Sequence, residues 1–116
     1  MPKIGVISIY VTDIELAKQF YCDKLGFEVH RVFDPTTVKL AHDGIAVVLC
    51  QTEAITQVQY PSQAQVVFGI ETEELERTIE ELTAKGISMI YEQSPVCPGG
   101  HYNAFRDPFG NVIELL

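Results

Sequence analysis

From Ile4 to Val11 the chain is apolar and β-branched almost without a break, and it stops at Thr12-Asp13, a pair suited to starting a helix. The pattern predicts a strand and then a helix. Thr12 has capping-box spacing to Glu15 and Asp13 is itself a strong cap, so the helix start is open by one residue. Leu16, Ala17, Phe20 and Leu25 supply an apolar stripe, and Gly26 supplies a left-handed stop. Three short strands follow, over Phe27–Phe33, Thr37–Ala41 and Ile45–Gln51. Asp34-Pro35 and Asp43-Gly44 are the turns between them.

The second half writes the same order again. Gln65–Ile70 predicts a strand, and Thr72 caps a helix whose stripe is Leu75, Ile79 and Leu82. Glu73, Glu74 and Glu76 suit the positive end of that helix. After Gly86, strands are predicted over Ile87–Glu92, His101–Arg106 and Asn111–Leu116. Val11-Thr12-Asp13 overlays Ile70-Glu71-Thr72, and Gly44 overlays Gly110; the extra length of the second half falls in Ser94–Gly100. Each half alone would leave a sheet face bare, so both are needed for one core. The expectation is a single α+β domain over 1–116, a tandem βαβββ duplication with module 1–51, linker 52–64 and module 65–116.

At 116 residues the chain suits one domain that buries a core without staples. No apolar run nears the ~20 residues of a membrane span, and Met1-Pro2-Lys3 does not open a signal peptide, which predicts a cytoplasmic protein. Sixteen acids against eight scattered bases, a formal charge of −8, exclude nucleic acid as a partner; they favour solubility and, more weakly, cationic ligands. Cys22, Cys50 and Cys97 are odd in number and lack C-x-x-C spacing, as expected of reduced thiols.

V-T-D-I-E-L-A-K-Q-F-Y-C-D-K-L-G-F (Val11–Phe27), A-K-G-I (Ala84–Ile87) and R-D-P-F-G-N-V-I-E-L (Arg106–Leu115) occur in that order across the two halves. With the internal repeat they resemble the vicinal oxygen chelate superfamily, the glyoxalase, bleomycin-resistance and extradiol dioxygenase group, over the whole chain. The resemblance implies curled mixed sheets around a pocket and a homodimer, with modules paired within or across chains. It also implies either a divalent metal that chelates neighbouring substrate oxygens or, in bleomycin-binding members, sequestration without metal.

In metal-using relatives the ligands are His, Glu or Gln on the first and last strands of each module. The matching positions here are Val6, Val48, Gln65 and Glu114. Two are aliphatic, and two donors fall short of the three protein ligands typical of a catalytic zinc site. No metal or other cofactor is therefore expected, a divalent metal being the alternative. A shift of two residues would bring in Ser8 and Cys50, but the first set fits the family pattern better. His30, His42 and His101 have no ligand spacing and suit surface or hydrogen-bonded roles.

Strand alternation puts Ile7, Ile9 and Val11 under the helices and Val6, Ser8 and Tyr10 on the other face. The same parity gives a pocket lined by Val6, Ser8, Tyr10, Val48, Cys50, Gln65, Val67 and Glu114, apolar with a few polar accents. Glu114 is costly among valines unless protonated, hydrogen-bonded or paired with a ligand. His101, Asn103 and Phe105 share one strand face, and Tyr102, Ala104 and Arg106 the other; which turns inward is left open. Cys97–Gly100 reads as an ordinary hairpin loop, with a mobile lid as the second choice. The functional expectation is a small-molecule-binding protein without the family metal. The alternative is a metal-dependent glyoxalase-like lyase or isomerase with Glu114 as base or ligand.

Overall fold

The computed structural model describes residues 1–41 and 43–116, which form two compact units, Met1–Thr56 and Gln57–Leu116. In the first unit β1 (Val6–Val11) leads into α1 (Ile14–Lys18). Asp13, not Thr12, is the cap: its Oδ1 accepts from the backbone N–H groups of Glu15 and Leu16 at 3.0 and 3.1 Å. The helix then widens into a π-helical turn, Gln19–Lys24, in which Leu25 N–H donates to the Phe20 carbonyl. Gly26, at φ 87°, closes it as the glycine signal predicts. Ile14, Ala17, Phe20 and Tyr21 form the buried face, whereas Leu16 is exposed, against the stripe expected from sequence. With Asp13 as cap, Ile14, Ala17 and Tyr21 lie three and four residues apart, and Leu16 falls off that row.

Then follow β2 (Glu28–Asp34), β3 (Thr37–Ala41) and β4 (Ala46–Gln51). The sheet order is β1-β4-β3-β2, with β1 parallel to β4 and the remaining pairs antiparallel. Ile9, Val11, Val38, Leu40, Val47 and Leu49 are buried; each contributes at most ~1.5–3 kcal/mol on full burial. Their neighbours in sequence stay half-buried or exposed, which leaves the second sheet face open. Gln51 Oε1 accepts from Ile14 N–H at 2.9 Å and so ties the end of β4 to the start of α1.

The second unit contains β5 (Phe68–Ile70), α2 (Leu75–Ala84), a small hairpin of β6 (Val96–Cys97) and β7 (Gly100–His101), then β8 (Asn103–Arg106) and β9 (Val112–Leu115). The sheet order is β5-β9-β8, again with the first strand parallel to the last. Four expectations need correction here. The strand expected over Gln65–Ile70 begins only at Phe68, so Gln65 and Val67 lie ahead of it. Thr72 does not cap α2, whose N-cap is Glu74 without a side-chain bond; Thr72 instead donates through N–H and Oγ1 to the Leu116 carbonyl at 2.9 and 2.8 Å. The strand expected over Ile87–Glu92 shrinks to one bridge, Met89 with Phe105. The strand expected over His101–Arg106 begins at Asn103, and His101 belongs to the small hairpin.

Asn103 explains the last two. Its buried amide accepts from Tyr91 N–H at 3.1 Å and donates to the Tyr91 carbonyl at 3.0 Å. A side chain thus does what a strand ladder would, and regular pairing ends there. The turn after β8 is structural: Asp107, also buried, accepts from the N–H groups of Phe109 and Asn111, and the Asn111 side chain donates to Asp107 Oδ2.

Gly110 holds φ 89° in this turn, and an added Cβ would stand 2.5 Å from Gln57 Cγ. Gly26, at φ 87°, has open space. Gly26→Ala should therefore carry only the left-handed backbone cost of ~1–2 kcal/mol, and Gly110→Ala should lose more. Urea midpoints check this, and adding Gln57→Ala should return part of the difference for Gly110→Ala alone.

Candidate functional site on the open face of the second sheet

Alternation along β9 turns Ile113 and Leu115 into the core and leaves Glu114 half-buried on the opposite face. Register places Gly69 and Ala104 directly across from Glu114, and Arg106 across from Val112. Tyr102, Ala104 and Arg106 therefore share the face of Glu114, which answers the question of strand orientation. Both cross-strand neighbours of the carboxylate are among the smallest residues available, so the sheet itself does not fill the space beside it.

That space is shared by three tyrosines from separate stretches of chain. Tyr60 donates its hydroxyl proton to Glu114 Oε2. Its ring stands 6.2 Å from Tyr91 at an interplanar angle of 65°, and Tyr91 stands 5.8 Å from Tyr102 at 79°. These are edge-to-face geometries, favoured because a ring edge is positive and its face negative. Burial, reinforced by the hydrogen bond to Glu114, pushes the Tyr60 phenol well above its ordinary value of 10.0. A hydrogen bond with Tyr91, and then burial, raises Tyr102. Tyr60 and Tyr102 are thus neutral at physiological pH.

Arg106 holds the Tyr60 segment in place. Its Nη1 donates to the Gly110 carbonyl and its Nη2 to the Val58 carbonyl, both at 3.0 Å. Gln59 and Gln63 close the loop: Gln59 N–H donates to Gln63 Oε1 at 2.8 Å and Gln63 N–H to the Gln59 carbonyl at 2.9 Å. What composition marks as a polar linker is, from Gln57 onward, a built part of the second unit.

Of the residues expected to line a pocket, Val6, Ser8, Tyr10, Val48 and Cys50 lie on the open face of the first sheet, with Ser8 beside Val48 and Tyr10 beside Cys50. Lys39 pairs with Val48 and Thr37 with Cys50, so a half-buried cation joins that face. Gln65 and Val67 precede β5; Gln65 is exposed and Val67 half-buried. His30 sits on the exposed β2 and His101 is exposed, while His42 lies outside the described residues. Among the described residues no three of His, Cys, Asp or Glu gather as a metal-binding group. At the positions where metal-using relatives carry ligands, Val6 and Val48 offer no lone pair, Gln65 is exposed, and Glu114 accepts the Tyr60 hydroxyl at one of its two oxygens.

Tyr60 and Tyr91 escape the sequence reading. Tyr60 stands in a polar stretch whose docking depends on Arg106, far along the chain. Its one sequence signal is a large aromatic just before Pro61.

The model of the Glyoxalase/Bleomycin resistance protein/Dioxygenase superfamily matches residues 3–115, and the chain belongs to that superfamily. It is similar to the uncharacterised protein YetH of Bacillus subtilis (strain 168), with 27% identity over 118 residues, covering 97% of this chain and 96% of YetH. Among solved structures it superposes on SMU.1112c at a TM-score of 0.82 with 22% identity, covering 99% and 98% of the two chains. It also superposes on TnmS3, an antibiotic binding protein from Streptomyces sp. CB03234, at 0.73 with 23% identity, covering 99% and 94%. These structural likenesses establish the glyoxalase-type α+β fold. No helix among the described residues is long and apolar enough to cross a membrane.

Because Tyr60 is held neutral in the fold, its contribution is intact below its ordinary value near pH 10 and is lost as pH rises above it. The stability gap between wild type and Tyr60→Phe, from urea unfolding, should be constant below about pH 9 and shrink above pH 10. A gap that stays constant through alkaline pH would refute the raised Tyr60 phenol.

Proposed function

We propose that this protein captures a small organic molecule without a metal ion, in the manner of the sequestering members of its superfamily. The observation that carries the reading is the state of the family ligand positions. Val6 and Val48 have no donor atoms, which leaves Gln65 and Glu114, two where three are typical, and the Glu114 carboxylate accepts a hydrogen bond from Tyr60. A metal-chelate reaction needs at least three protein donors around an open coordination position. This chain has instead a half-buried carboxylate beside neutral phenols and small residues, the mix of apolar surface and a few polar groups that suits orienting a ligand. The fold shared with an antibiotic binding protein is consistent with this role. Val6, Ser8, Tyr10, Val48 and Cys50 on the open face of the first sheet, and Gln65 and Val67 ahead of β5, are further proposed ligand-binding positions, and a cytoplasmic homodimer belongs to the same reading.

The competing activity is a metal-dependent lyase or isomerase with Glu114 as base or ligand. Native mass spectrometry of gently purified protein should find an organic species bound at defined stoichiometry. Assays on hemithioacetals of oxoaldehydes, with and without added divalent metal, should find no turnover that separates wild type from Glu114→Gln. Metal-stimulated product formation that disappears in Glu114→Gln would replace capture by catalysis.

A further inference from the structure

The tyrosine cluster narrows the ligand class, given the capture reading above. We propose that the site takes an organic cation, a quaternary or protonated alkylammonium group, held against the rings of Tyr60, Tyr91 and Tyr102 with Glu114 as its counter-charge. Ring faces carry the negative part of the aromatic quadrupole, so a cation set beside several faces at once is attracted by each. Adjacent rings here meet edge to face, at 65° and 79° with centroids 6.2 and 5.8 Å apart, so each contact uses one face of a ring and leaves its opposite face outside the pair. All three tyrosines are half-buried, so each keeps accessible surface while being partly removed from water, where such attraction is strongest.

Charge points the same way. Glu114 lies at the foot of the cluster, and Tyr60 donates to one of its two oxygens, Oε2. Arg106, the cation on the same sheet face, is directed away to the carbonyls of Gly110 and Val58 and does not neutralise it. Burial and hydrogen bonding raise the Tyr60 and Tyr102 phenols above their ordinary value, so neither ring brings a negative charge of its own. Residues 57–116 hold nine acids and three bases, a net of −6 out of −8 for the whole chain. The field around this unit therefore attracts cations and repels anions. A neutral aromatic ligand would use the ring walls but would supply no counter-charge to the carboxylate, whose partner Tyr60 is neutral.

The test compares choline with its uncharged isostere, in which carbon replaces nitrogen, by titration of the full chain followed in NMR spectra. Choline should bind about tenfold more tightly than the isostere and shift the signals of Tyr91, Tyr102 and Glu114. Glu114→Gln and Tyr91→Leu should each erase that preference. Tyr91→Phe, which keeps the ring, should retain it, and circular dichroism verifies that each variant is folded. Equal affinity for the two probes, or no binding of either, overturns the cation assignment. Equal affinity leaves capture itself standing, whereas capture fails separately if the assays above reveal metal-stimulated turnover.

Discussion

Parallel pairing of the first strand with the last, β1 with β4 and β5 with β9, is the constraint from which the rest of each unit follows. Two parallel neighbours need a crossover, and the helix in that crossover covers one sheet face. The covered face must be continuously apolar, and it is: Ile9, Val11, Val47 and Leu49 in one unit, Ile113 and Leu115 in the other. The opposite face is then released from core duty, and alternation hands it Val6, Ser8 and Tyr10 in one unit and Glu114 in the other. A one-residue slip of β9 would bury Glu114 and expose Ile113.

On that released face, the second unit assembles its site from parts of the chain that are remote in sequence. Arg106 binds neutral carbonyls with its charged guanidinium, bonds stronger than those between uncharged partners. In doing so it fixes the segment that carries Tyr60. Asn103 performs the equivalent task for Tyr91, holding its backbone at both N–H and carbonyl. Two positioning residues on β8 thus set two walls of the cluster, and the strand's own parity sets the third through Tyr102.

Much of the fold was legible because it rests on local signals. Period-two alternation, the Asp13 cap and glycines at helix ends act over a few residues, and the duplication doubled each clue. The breaks came where a side chain overrode a backbone pattern. Thr72 has the chemistry of a cap but directs it to the Leu116 carbonyl, and Asn103 truncates the ladder expected over Ile87–Glu92. The candidate site was half legible. Glu114 stood out as a carboxylate in an apolar strand, and Tyr102 was placed on one of two faces. Tyr60 and Tyr91 were not recoverable, since their positions depend on contacts with Arg106 and Asn103 that no local pattern encodes.

The aliphatic side chains of Val6 and Val48, at two of the four positions where metal-using relatives carry ligands, carry the proposal of capture without a metal ion. Calorimetric titration of chelator-stripped protein with zinc, nickel and manganese measures this most directly. No saturable uptake is expected for any of the three ions. Tight binding of one ion per chain, abolished in Glu114→Gln, would contradict it.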